Sequence, residues 1–264
     1  MRSDWTALPD AVTAGIAERI GGDPDVVPAP AGDHAEIASA VTGPSGTVFV
    51  KAASAGVQSL RYELTATKAI GSYAPEVLWH FEAAGWLVMG TEHLDGCHAD
   101  LRPGSPDLDL LAAALNGLQA TRALGGPWFT PAGRLGFDHP AMNGTAVVHS
   151  DLNPTNLIVT RHGLRIVDWA WATKAAPWVE LALLVQWLIG SGHTPEQAEA
   201  WLAQFPAWAS VDRDVIDHFA FGNAAKWSSK ARRSDQGWVH DIAAWTAAWA
   251  AYRAATVREL RYSS

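Results

Sequence analysis

The stretch His149-Ser150-Asp151-Leu152-Asn153-Pro154-Thr155-Asn156, followed by Ile166-Val167-Asp168-Trp169, decides how this chain reads. The apolar run Ala146-Val147-Val148 leads into it, so Asp151 and Asn156 lie five positions apart in a loop that leaves a strand. Leu157-Ile158-Val159 and Leu164-Arg165-Ile166-Val167 read as a small hairpin through Arg161-His162-Gly163, which folds Asp168 back beside that loop. Any one of the three alone reads as a turn former or a solvated strand end. Together they bring oxygen ligands from three points to strand ends, which suits a hard cation such as Mg²⁺ that keeps its waters and bridges substrate phosphates. Asp151 is then the free carboxylate, able to accept a hydroxyl proton and orient a nucleophile.

Upstream, Leu8, Val12, Ile16 and Ile20 repeat every four residues and stop at Gly21-Gly22, the pattern of an amphipathic helix with a glycine stop. Residues 35–41 and Thr47-Val48-Phe49-Val50-Lys51 flank Gly43-Pro44-Ser45-Gly46 and predict a hairpin; residues 77–81 and 86–90 predict another around Glu82-Ala83-Ala84-Gly85. Between them, residues 59–70 return to helical spacing, with Leu60, Leu64 and Ala69 on one side. Lys51 ends a strand, and Glu63 follows twelve residues on, in that helix. A strand lysine held by a helical glutamate presents its ammonium to the α- and β-phosphates of ATP. Glu76 and Glu82 are alternative partners in the same region.

After a connector at 91–96 the pattern becomes helical. Ser105-Pro106-Asp107 offers an N-cap with proline at the first position ahead of Leu108, Leu111, Leu115 and Leu118, and residues 177–262 are rich in Ala and Trp. A strand-rich first third joined to a helical remainder predicts an α+β protein of two lobes with a cleft between them. The expected division is 1–90, a nucleotide-binding lobe; 91–96, a hinge; and 97–264, a helical lobe with the loop around Asp151 and the acceptor site.

Composition sets the outer limits. At 264 residues, 48% hydrophobic and 17% charged, the chain can bury a substantial core and is too apolar for a disordered segment. It has no apolar run long enough to span a bilayer, and its start lacks the apolar stretch of a signal peptide, so a cytoplasmic protein without membrane partners is expected. The single cysteine, Cys97, excludes an internal disulfide framework and a cysteine-cluster metal site. A net charge of -8 argues against binding to nucleic-acid backbones.

The segment VVHSDLNPTNLIV…LRIVDW resembles the catalytic and metal-binding loops of the aminoglycoside phosphotransferase family, small-molecule kinases with a protein-kinase-like fold. That resemblance implies a bilobal kinase-like fold, ATP and Mg²⁺ as cofactors, and a small molecule with a hydroxyl as acceptor. It implies that Asp151 is the catalytic base and that Asn156 and Asp168 hold magnesium. Lys51 and Glu63 fall where the family has its ion pair. Gly32-Asp33-His34-Ala35-Glu36 falls at its nucleotide-positioning loop, placing Gly32 and His34 near the nucleotide, and residues 87–96, with Glu92 and His93, look like the last strand and the hinge that binds adenine through backbone groups. The chain departs from the pattern at Ser150, where the family usually has glycine. In Ala176-Pro177-Trp178-Val179-Glu180-Leu181-Ala182 the first acidic residue of the family's motif is missing and Glu180 replaces the second. A protein kinase fits less well, because Trp169-Ala170 follows Asp168 and only about a dozen residues separate it from that motif.

The acceptor is expected to be an antibiotic, phosphorylated for resistance or self-protection, with a metabolite such as an amino sugar, choline or homoserine as the alternative. A catalytically silent nucleotide-binding regulator is the competing class, and an intact set of Lys51, Asp151, Asn156 and Asp168 argues against it. Residues 85–225 carry 14 acidic and 7 basic side chains, a bias that favours an amine-bearing acceptor bound partly by Asp212, Asp214 or Asp217. From residue 226 onward there are 7 basic and 3 acidic. If Lys226, Lys230, Arg232 and Arg233 face the cleft, a neutral or anionic acceptor is expected instead.

Overall fold

The computed structural model describes residues 3–29, 35–123, 125 and 128–262, which fall in two compact units. The first comprises 1–97, 124–127 and 158–172; the second comprises 98–123, 128–157 and 173–264. The chain therefore passes from one unit to the other more than once.

In the first unit, helix α1 (Asp10–Ile20) buries Val12, Ile16 and Ile20 and ends on Gly21, whose φ of 84° carries it into the left-handed stop read from the sequence. Strands β1 (Asp25–Pro28), β2 (Ile37–Gly43) and β3 (Gly46–Ser54) follow, then helix α2 (Gln58–Ile70), then β4 (Val77–Ala83) and β5 (Trp86–Glu92). These strands form an antiparallel sheet in the order β1-β2-β3-β5-β4, with β3 at its centre. Both hairpins are where the turn residues predict them. The β4–β5 connection is Ala84-Gly85, both at positive φ, as a tight two-residue hairpin demands.

The pleat of β3 sorts its side chains. Val50 and Ala52 join Val12, Ile16, Ile20, Val41 and Val88 in one apolar cluster, on the α1 side. Ala53 joins Leu60, Leu87 and Met89 in a second cluster, on the α2 side. Lys51 shares the parity of Ala53, so the period of two aims it toward α2. Strand β6 (Gly96–His98) begins as the chain leaves this unit.

In the second unit, α3 (Asp107–Leu118) buries Leu108, Leu111, Leu115 and Leu118 as the spacing predicts. The short helix α4 (Pro131–Leu135) is capped by Thr130, whose hydroxyl accepts the Gly133 N–H. Strand β7 (Ala146–Val148) is fully buried. The chain then re-enters the first unit, where β8 (Leu157–Thr160) and β9 (Gly163–Ile166) join β6 in a three-stranded sheet in the order β6-β8-β9. It returns through β10 (Thr173–Ala175), antiparallel to β7.

Helices α5 (Trp178–Gly190), α6 (Pro195–Leu202), α7 (Pro206–Ala209), α8 (Arg213–Ala231) and α9 (Gly237–Tyr262) complete the second unit. Helix α5 is buried around most of its circumference, which explains its nearly continuous apolar run. Its own Trp178 meets Phe219 of α8, which packs in turn on Trp249 of α9 and, through it, Trp208 of α7. Of the fourteen tryptophans, Trp169, Trp178, Trp208 and Trp249 are buried in the core, nine are half-buried and Trp238 is exposed. No helix among the described residues is long and apolar enough to cross a membrane.

Candidate active site

In the first unit, Lys51 meets two carboxylates. Its Nζ donates to Glu63 Oε1 at 2.6 Å and to Asp168 Oδ1 at 3.1 Å. Burial alone would pull the ammonium's pKa down, but the Glu63 and Asp168 charges hold it above the ordinary lysine value. Burial pushes the Glu63 carboxyl up, with Asp168 adding to the push and Lys51 opposing it. Two carboxylates around one ammonium leave a surplus negative charge in a partly buried position. Asp168 is held at φ 64°, a left-handed backbone that Asp tolerates better than most residues and that turns the chain directly after β9.

The alternative partners are elsewhere. Glu82 pairs with Arg61 at 2.9 Å, and the Glu76 N–H donates to Glu92 Oε1 at 3.0 Å. Glu92 also pairs with Arg165 at 3.3 Å, while its own N–H donates to the Glu76 carbonyl at 2.9 Å. His93 is exposed next to it. Gly32 and His34 lie outside the described residues.

In the second unit, β7 delivers the loop of Asp151. The backbone N–H of the buried His149 donates to Glu180 Oε2, and that of Ser150 donates to Glu180 Oε1 at 3.1 Å. The Asp151 N–H reaches His149 Nδ1 at 3.2 Å, and Asn156 Nδ2 donates to the Asp151 carbonyl at 2.9 Å. Asn153 caps the turn at Pro154–Asn156 by accepting the Thr155 N–H at 2.7 Å. The loop is therefore closed on itself and braced from α5. The longer glutamate at 180, far from displacing the loop, accepts two consecutive N–H groups. Burial pushes its carboxyl up to about 7, against those two bonds, and the Asp151 charge adds to the push.

The departure at Ser150 also has a structural meaning. Its φ is 65°, in the left-handed region that glycine occupies without cost. Its hydroxyl accepts from Arg134 Nε at 3.1 Å and its carbonyl from Arg134 Nη2 at 3.4 Å. The sequence alone did not single out Arg134. Thr130-Pro131 signals the short helix that carries it, but nothing local signals where that helix packs. From α8, Lys226 Nζ donates to the Arg134 carbonyl at 3.5 Å.

The three aspartates proposed for the acceptor do not converge. Asp212 and Asp214 are exposed at the start of α8. Asp217 is buried and accepts from Arg253 Nε at 2.5 Å, in a network where Arg253 also holds Glu199 at 3.0 Å. It is a core ion pair.

The residues assigned to metal are oxygen donors of the right kind. The amide nitrogen of Asn156 is spent on the Asp151 carbonyl, which leaves Oδ1 as the acceptor. Among the described residues no three His, Cys, Asp or Glu side chains form a ready-made metal cage. Such oxygen donors suit Mg²⁺, which takes one or two protein oxygens and completes its shell with water and phosphate.

Residues 138–213 match the model of the Phosphotransferase enzyme family. Among solved structures, the chain resembles a thermostable mutant of aminoglycoside phosphotransferase APH(4)-Ia in its apo form, at TM-score 0.62 and 14% identity over 92% of this chain and 99% of that one. A ternary complex of the same mutant type with ADP and hygromycin B matches at TM-score 0.59 and 13% identity, over 90% and 98%. A putative fructosamine-3-kinase from Haemophilus somnus 129PT matches at TM-score 0.55 and 12% identity, over 89% and 95%. No curated protein matches by sequence. Identities this low establish the fold alone, and the family match covers the segment with Asp151, Asn156, Asp168 and Glu180. The chain thus has the fold of these solved phosphotransferases, and its residues 138–213 carry the segment that matches the phosphotransferase enzyme family.

Proposed function

We propose that the protein transfers the γ-phosphoryl group of ATP to a hydroxyl of a small molecule. The observation that carries this reading is Lys51 held at 2.6 Å by Glu63 and at 3.1 Å by Asp168, which leaves its remaining donor capacity for phosphate oxygens. Asp151 accepts the acceptor's hydroxyl proton and aligns the oxygen for in-line attack. Glu180 and Asn156 hold the Asp151 loop in place, so that positioning is set before substrate arrives. Asn156 and Asp168 are the residues that would hold Mg²⁺, which would supply charge neutralisation at the phosphate oxygens.

In this reading residues 1–90 bind the nucleotide, 91–96 form the hinge, with Glu92 and His93 beside the adenine, and the remainder carries the acceptor site. The acceptor is an antibiotic, met in the cytoplasm, and the protein serves resistance or self-protection. The fructosamine-3-kinase likeness supports a sugar-type metabolite as the second reading.

The test is mass-spectrometric screening of hydroxyl-bearing compounds with Mg·ATP for an added phosphate, repeated with Asp151→Asn. Turnover of the variant falls by roughly 10²–10⁴-fold while nucleotide affinity is kept. A variant that keeps most of its turnover where chemistry limits the rate removes Asp151 as the base, and a wild-type chain that binds Mg·ATP yet phosphorylates nothing supports the silent regulator.

A further inference from the structure

Three cations gather beside Asp151. Arg134 is fixed on Ser150 by two hydrogen bonds, one residue from Asp151. Lys226 lies against the Arg134 carbonyl at 3.5 Å. Lys230, one turn further along α8, is pinned over two indoles, 4.6 Å from the Trp227 ring and 4.6 Å from the Trp238 ring. These two rings pack edge to face at 6.0 Å, and Trp227 also lies 5.7 Å from the Lys226 ammonium. The lysines are thus held in place by aromatic faces, which hold a cation without cancelling its charge. Among the described residues neither lysine has a carboxylate within ion-pair distance.

The acidic cluster lies away from this site. Twelve residues of α8 separate Asp214 from Lys226, about 18 Å along a helix axis. Asp217 is consumed by Arg253. Asp212, Asp214 and Asp217, the carboxylates expected to hold an amine-bearing acceptor, therefore do not line the surroundings of Lys226 and Lys230.

We propose that the acceptor carries an anionic group, a carboxylate or a phosphate, that Lys226 and Lys230 bind while Asp151 engages its hydroxyl. The word acceptor rests on the phosphotransfer reading above; the charge preference rests on the cluster itself. Burial and the neighbouring Arg134 and Lys230 charges push the Lys226 ammonium down to about 8, with Asp151 opposing. A bound anion relieves that crowding. The exposed face of Trp238 beside Lys230 offers a flat apolar surface for the rest of the molecule.

The anion could instead be ATP's own phosphate, and the experiment separates the two sources. Binding of glucose 1-phosphate, glucose and glucosamine, which share a ring and differ in charge, is measured by calorimetry on the full chain saturated with Mg·ADP. Glucose 1-phosphate binds about tenfold more tightly than glucosamine, as expected for one charge-assisted hydrogen-bonded pair. Added salt weakens it, and Lys226→Gln with Lys230→Gln abolishes the preference while Mg·ATP affinity holds. Lys230→Glu, at an exposed position, shifts the preference toward glucosamine. Glucosamine binding as tightly as glucose 1-phosphate, or no binding of glucose 1-phosphate, overturns the proposal. So does a lysine variant that weakens Mg·ATP instead, since that assigns the cations to the nucleotide. A chain that binds no Mg·ATP at all fails the phosphotransfer reading separately, because the probe comparison needs no turnover and is repeated on the nucleotide-free chain.

Discussion

Ser150 joins two opposing contributions at one position, and three substitutions separate them. At φ 65° any residue with a Cβ is strained. That costs about 1–2 kcal/mol. Glycine removes the strain but adds unfolded-chain entropy of about 0.4–1 kcal/mol. The hydroxyl in turn accepts from the Arg134 guanidinium at 3.1 Å. That bond contributes about 1 kcal/mol. Ser150→Ala and Ser150→Gly lose the same bond, so their difference isolates the backbone: glycine is more stable than alanine by about 1 kcal/mol. Wild type and Ser150→Ala share the strain, so their difference isolates the hydroxyl, again about 1 kcal/mol in favour of serine. Serine and glycine should therefore be nearly equal, with alanine below both and the β-branched Ser150→Val lowest. Urea titration with unchanged m-values measures the series, and each kcal/mol corresponds to a shift of about 2–4 °C in Tm for a domain of this size. If Ser150→Ala is at least as stable as Ser150→Gly, the backbone is not held in the left-handed region and the argument fails.

Two further predictions concern the buried carboxylates. Lys51→Ala should lower turnover by roughly 10²–10³-fold and weaken ATP binding, and Glu63→Gln, which only frees the lysine to wander, by about tenfold; steady-state kinetics decides, and a silent Glu63→Gln beside a damaging Glu76→Gln would show that the lysine works with another partner. Glu180 has a carboxyl raised from 4.5 to about 7, so the native state holds its proton more tightly than the unfolded chain. The resulting stabilisation is complete below about pH 4.5 and is lost as pH rises through about 7, so the advantage of wild type over Glu180→Gln should shrink by at most about 3 kcal/mol across that window; denaturation midpoints that differ by a constant amount across it refute the buried, proton-holding carboxyl.

What the sequence made legible was whatever a local period or a fixed turn decides. The four-residue spacing from Leu8 to Ile20 gave α1 and its glycine stop, and the period of two in β3 put Lys51 on the face of α2. The loop of Asp151 was readable because its bonds run within a few residues, from Asn153 to Thr155 and from Asn156 to Asp151. The acceptor side was not, because its decisive contacts are distant in the chain. Asp212, Asp214 and Asp217 are neighbours in sequence, yet a helix turns them to different sides, and Asp217 finds Arg253 from another helix. In the basic cluster the four-residue step keeps Lys226 and Lys230 on one face, whereas Arg232 and Arg233 bond locally to Ser228 and Ser229. Ser150 was visible as an exception, and its compensation by Arg134 required the packing of α4.

The interrupted make-up of the first unit has a consequence for how the chain is made. Strand β6 has its partner β8 about sixty residues later, and Asp168 reaches Lys51 only after that stretch exists. At about 5–20 residues per second, the ribosome needs several seconds to supply it. During that interval Lys51 and Glu63 are joined without their third member, and β6 has an open edge. The nascent sheet must be carried by α1, α2 and its own two hairpins until the return segment emerges. That is a selective reason for the apolar clusters on both faces of β3 to be complete within the first 92 residues.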